Sequence, residues 1–93
     1  MAKYVALVDI RTSVQNAQDL VSTWGDIRLE FEEFGVELDG SFAVLGEYDF
    51  LLIFEAPDRD TAFKAGIAVE RHGMDMQTME IIPMADFAGL VED

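Results

Sequence analysis

Cysteine is absent from the 93 residues. That removes disulfides, cysteine-ligated zinc and thiol nucleophiles together. Basic residues are scarce: six Lys and Arg face nineteen Asp and Glu, for a formal net charge of −13. The four arginines, Arg11, Arg28, Arg59 and Arg71, are scattered along the chain. Phosphate binding needs clustered cations, so nucleic acid is excluded as an expected partner. No apolar run approaches the ~20 residues that span a bilayer, so no membrane association is expected. The opening residues run straight into a strand-like segment without the basic region, apolar stretch and cleavage site of a secretory leader, so the expected location is cytoplasmic. Histidine occurs once, as His72, and proline twice, as Pro57 and Pro83. Carboxylates are plentiful, but no EF-hand spacing or His/Asp/Glu ligand set is present, so no metal or other cofactor is expected. Gly-rich phosphate loops and nucleophile elbows are missing as well.

What is present is apolar surface and acid. Hydrophobic residues make up 51% of the chain, enough for one folded domain over 1–93 and too much for a disordered one. The charge exceeds the magnitude of about 2–8 usual for a small soluble domain. Such carboxylates repel over a Debye length near ~10 Å at ordinary salt and about 3 Å at 1 M. High acid with scarce lysine therefore suits a halophilic setting, a cytosol rich in salt.

Hydropathy patterning gives the elements. Lys3–Ile10 is rich in β-branched and aromatic residues and short enough for a strand. Thr12 or Ser13 offers a helix N-cap, and Leu20, Trp24, Ile27, Phe31 and Phe34 then recur on one helical face. Gly35 terminates that helix. Val36–Leu45 is a second strand, with Asp39-Gly40 as a bulge or a late start. Gly46-Glu47 predicts a tight hairpin into a third strand, Tyr48–Ala56. Asp58 or Asp60 caps a second helix, in which Arg71 and His72 favour the C-terminal end before Gly73. Met74–Pro83 is a fourth strand, and Met84, Phe87, Leu90 and Val91 predict a short amphipathic C-terminal helix. The order β-α-β-β-α-β is the split βαβ unit. Right-handed crossovers then place the first and third strands centrally in a four-stranded antiparallel sheet of order 4-1-3-2. The fold class is thus α+β, a ferredoxin-like sandwich.

Both faces of the central strands are apolar. Tyr4, Ala6, Val8 and Ile10 alternate with Val5 and Leu7; Phe50, Leu52 and Phe54 alternate with Leu51 and Ile53. Two helices cover one side of a sheet. The other would leave an apolar patch near the upper limit for a monomer, so a homodimer through that open face is expected.

The hairpin reads Leu45-Gly46-Glu47-Tyr48-Asp49-Phe50, followed by an apolar strand and Glu55-Ala56-Pro57-Asp58. With Tyr4-Val5 in the opening strand, the long first helix and the close into Pro83-Met84, nearly the whole chain resembles the GYD domain family. The resemblance implies a ferredoxin-like fold in the form of a dimeric α/β barrel. It carries over no catalytic residues.

Candidate functional residues each have a plainer reading. Glu47, Tyr48 and Asp49 could orient a ligand or move a proton, or simply shape a turn. Asp9 inside an apolar strand is a candidate base if buried and a solvated acid if near the strand end, with Arg11 as a candidate partner. His72 is an acid–base candidate, or a partner for the helix dipole. Met74, Met76, Met79 and Met84 could line an apolar pocket or serve as core, and Trp24 shares that ambiguity. A ligand site of Trp24, Glu47, Tyr48, Asp49 and His72 is one expectation, for a small organic molecule bound in a regulatory or accessory role. A cofactor-free monooxygenase or isomerase and a purely structural assembly module are the alternatives.

Overall fold

The computed structural model describes residues 1–11 and 17–91. The elements run β1 (Ala2–Ile10), α1 (Ala17–Phe34), β2 (Glu37–Ala43), β3 (Phe50–Ala56), α2 (Arg59–Arg71), β4 (Met74–Ile81) and α3 (Met84–Val91). The sheet order is β2-β3-β1-β4, and every pairing is antiparallel. This is the α+β, ferredoxin-like arrangement that the patterning predicts. The expected caps Thr12 and Ser13 lie outside the described residues.

The core lies between the sheet and α1 and α2. Tyr4, Ala6 and Val8 of β1 and Leu52, Phe54 and Ala56 of β3 are buried beneath Ile27 and Phe31 of α1. Tyr4 and Phe54 are cross-strand neighbours whose rings stack at 5.3 Å. Phe31 closes over Phe54 at 6.0 Å. From α2 the buried residues are small: Ala62, Ala65 and Ala68, with Thr61 and Val69. This alanine stripe lets α2 lie close to the sheet. It also turns the bulky Phe63 and Ile67 outward, where they remain 67% and 53% exposed.

Local chemistry fixes the ends of the elements. Gly35 and Gly73 have φ of +80° and +85°, the left-handed geometry of helix termination. Asp58 is the N-cap of α2, its Oδ1 accepting from the Thr61 N–H at 2.7 Å. Hydrogen bonding to the Thr61 side chain and then to its backbone N–H holds the Asp58 carboxyl below the usual carboxylate range, with Lys64 adding a smaller attraction. Asp39-Gly40 proves to be a bulge: the register of β2 on β3 shifts between Leu38 and Gly40. The hairpin is longer than the tight turn predicted from Gly46-Glu47. Residues 44–49 all lie between the strands, because Tyr48 and Asp49 are drawn into other contacts.

Helix α3 stands apart. Among the described residues it contacts no other element. Met84, Phe87, Leu90 and Val91 are exposed. The molecule is correspondingly long, 54 × 31 × 17 Å.

Candidate functional site

The helix-free face of the sheet carries the central apolar surface. Strand alternation puts Val5 and Leu7 of β1 on it, beside Ile53 and Leu51 of β3, to which they are paired. These four are half-buried in the single chain. Met79 extends the surface across β4, where it pairs with Val5, and Phe42 extends it across β2, where it pairs with Leu51. Both are exposed. The Phe42 ring lies over Gly40, so that a Cβ added there would meet it at 2.9 Å.

Polar groups rim this face. At one end Asp9 pairs with Asp75 across the β1–β4 ladder. Arg11 goes to Asp75 at 3.1 Å and donates to the Glu70 and Met74 carbonyls; among the described residues these, and not Asp9, are its side-chain partners. At the other end one row runs Glu37–Glu55–Lys3–Ile81. Carboxylate oxygens of Glu37, Asp39 and Glu55 lie within 4.8 Å of one another, and Lys3 sits 3.8 Å from Asp39. This is the metal-capable grouping among the described residues. Its members are largely exposed, and Lys3 supplies countercharge.

Two grooves flank the helices on the opposite side. One, about 430 Å³, lies between α1 and edge strand β2, with Trp24, Phe50, Leu20, Val21 and Leu38 among its lining. Trp24 meets Phe50 edge-on at 5.1 Å. Its indole N–H is enclosed without an acceptor among the described residues, an uncommon condition for a buried donor. The other groove, about 500 Å³, lies between α2 and edge strand β4. Phe63, Ile67, Met76 and Tyr4 form its apolar part, and Arg59, Glu70 and Glu80 its charged part.

The sequence-derived candidates are distributed over these surfaces rather than gathered in one. Tyr48 lies on the open face, donating to Gln77 Oε1 at 3.0 Å. Asp49 ties the hairpin to β1: its Oδ2 accepts from the Ile10 N–H at 2.8 Å, and its own N–H donates to the Val8 carbonyl at 2.9 Å. Glu47 is exposed in the loop. Trp24 is on the far side of the sheet, in the α1–β2 groove. His72 caps α2, with Nε2 3.4 Å from Glu30 Oε2 of α1. His72 and Tyr48 are therefore separated by the sheet and form no acid–base pair. The methionines also divide: Met74 is buried, Met76 lines the α2–β4 groove, Met79 is on the open face and Met84 begins α3. Phe63 and Ile67 were not singled out as groove residues by patterning. Their signal was a second apolar stripe on α2, distinct from the alanine stripe.

Comparison with known proteins follows the same lines. The family described as GYD domain matches residues 4–91. A Thermus thermophilus protein described as glutamine synthetase and cystathionine beta-lyase binding protein is 38% identical over 63 residues, a match covering 66% of each chain. Among solved structures, the leucine response regulatory protein LrpA of Mycobacterium tuberculosis superposes with a TM-score of 0.62 at 10% identity. That likeness covers 88% of this chain, which spans about half of LrpA (51%). An ACT domain protein of Streptococcus pneumoniae superposes with a TM-score of 0.55 at 8% identity, covering 85% of this chain and 89% of its own. At such identities these two likenesses concern the fold.

Proposed function

This chain belongs to the GYD domain family, and from that premise we propose that it is a regulatory binding module that works as a homodimer through its open sheet face. The observation that carries the reading is the half-exposed apolar quartet Val5, Leu7, Leu51 and Ile53 on the two central strands. Helix α3, the one element left over among the described residues, leaves that face uncovered. Burying such a surface against its copy gains about 25 cal/mol per Å², part of which is offset by the cost of association.

Closed two-fold symmetry is the commonest arrangement for such a contact. An axis parallel to the strands sets β2 of one copy beside β4 of the other and closes both pairs of edges. That is the dimeric α/β barrel, and it removes two exposed sheet edges as well as two apolar faces. The acidic chain suits a cytoplasm of high salt, where screening lets two copies of charge −13 approach.

The α2–β4 groove is the site for a small organic ligand. Phe63, Ile67 and Met76 receive its apolar body while Arg59, Glu70 and Glu80 meet its polar groups. A pocket of this size, mostly apolar with a few polar groups, is the usual form of a small-molecule site. A role upon enzymes is a second reading, favoured by the enzyme-binding description of the Thermus thermophilus relative. On that reading the dimer is an accessory subunit and the ligand sets its affinity for the enzyme.

Native mass spectrometry of protein purified from cells tests the proposal. It reads chain number and retained small molecules together. Twice the 10.4 kDa chain mass, with a small-molecule adduct that F63A and I67A weaken, is expected. A bare monomer that also shows no thermal stabilisation by any apolar or aromatic compound would overturn it.

A further inference from the structure

The helix α3 and the α1–β2 groove each lack what the other offers. An eight-residue helix is marginal alone in water, and α3 exposes Met84, Phe87, Leu90 and Val91 with no other element against it. Its charged residue is acidic, Asp86. The groove is apolar along Leu20, Val21, Trp24 and Phe50, and among the described residues its one charged lining residue is basic, Arg28. Arg28 has no ion pair among the described residues. The enclosed Trp24 N–H has no acceptor among the described residues. The α2–β4 groove fits α3 less well, because Glu70 and Glu80 outnumber Arg59 there and repel Asp86.

Reach decides which copy supplies the helix. Strands β2 and β4 are opposite edges of the sheet, about 14 Å apart over three spacings of ~4.8 Å. Ile82 and Pro83, the connection from β4 to α3, extend at most ~7 Å. A chain therefore cannot place α3 in its own α1–β2 groove. Ile81, where β4 ends, and Glu37, where β2 begins, lie in one row across the sheet. A two-fold axis along the strands keeps rows level, so the partner's α3 starts beside Glu37. Eight residues of helix rise about 12 Å, within the ~17 Å over which Leu38–Ala43 of β2 extends.

We infer that α3 of one copy docks in the α1–β2 groove of its two-fold mate, running from Leu38 at the Glu37 end toward Trp24, with Phe87 and Leu90 along the stretch between them and Asp86 brought to Arg28. The exchange rests on the homodimer reading. Each copy then covers the other's groove, and the two helices act as reciprocal straps.

Because the protein has no cysteine, a single engineered pair tests this cleanly in the full chain. G25C, beside Trp24 in the groove lining, and L90C are made separately, mixed, exchanged and oxidised, with K64C replacing G25C as the control on an exposed face. Light scattering is run on the same unoxidised mixtures. The G25C–L90C heterodimer is expected in about tenfold excess over K64C–L90C. The sole tryptophan gives a second readout: F87S/L90S should shift Trp24 emission to the red while the mass stays dimeric. A dimeric mass with no cross-linking preference and unmoved emission overturns the docking and leaves the homodimer standing. A monomeric mass in every mixture overturns both.

Discussion

The Tyr48 hydroxyl reaches Gln77 Oε1 at 3.0 Å although the two residues belong to opposite sides of the central strand. Leu7 of β1 separates them, paired with Leu51 of β3 on one flank and Gln77 of β4 on the other. The phenol therefore bridges the hairpin to the far edge strand across the open face.

Removing that bond should loosen the hairpin without unfolding the domain. The Y48F variant keeps the ring and loses the donor. A hydrogen bond at a partly exposed site contributes about 0.5–1 kcal/mol. Urea unfolding should show a loss of that order with an unchanged slope. Full retention of stability would show that the Tyr48–Gln77 contact contributes nothing in solution.

The order and type of the elements were legible because their signals are local. Short, continuously apolar runs rich in β-branched and aromatic residues marked β1 and β3, the Leu20–Phe34 spacing marked α1, and Gly35 and Gly73 marked helix ends with positive φ. The hairpin was misjudged by its local chemistry. Gly46 and Glu47 read as a two-residue turn, whereas Asp49 leaves β3 to accept from Ile10 and Tyr48 leaves it for Gln77. Both pulls come from β1 and β4, distant in the chain. The grooves were illegible for the same reason. Whether Phe63 faces core or solvent depends on Ala62, Ala65 and Ala68 winning the sheet, and whether Trp24 and Tyr48 share a pocket depends on which side of the sheet each occupies.

The Asp58 cap should make stability depend on acid. Its carboxyl titrates below the ordinary 3.8, chiefly through the Thr61 side chain and backbone. A folded value below the unfolded one means the charged cap stabilises above 3.8, and the gain is lost as pH falls through the lowered folded value. The D58N variant keeps an accepting oxygen and no charge. Wild type should exceed D58N in unfolding midpoint near neutrality and converge on it in acid. A difference that stays constant with pH would exclude the charge as the cause.

Phe31 should dominate the core. It is 1% exposed and seals Phe54 beneath α1. Truncation by F31A removes a buried ring and leaves a cavity, at a cost of about 3–5 kcal/mol. A domain of this size has a total stability of only about 5–15 kcal/mol. The variant should be largely unfolded in mild denaturant by far-ultraviolet circular dichroism. A loss below about 1 kcal/mol would mean that the α1 contact is replaceable.

Salt should tighten the proposed dimer. Each copy brings a charge of −13, and screening shortens the reach of that repulsion from about 10 Å at 0.1 M to about 3 Å at 1 M. The dissociation constant should fall steadily across that range in sedimentation equilibrium. A constant that rises with salt would mean that charge pairs, not apolar burial, hold the copies together.

Light scattering on the wild-type chain beside L7E and I53E puts the open face to its most direct test at high salt. The wild type should scatter as twice 10.4 kDa, and either carboxylate, set among apolar neighbours, should split it into folded monomers. A wild type that scatters at 10.4 kDa at every concentration, or a dimer indifferent to both substitutions, would contradict the account.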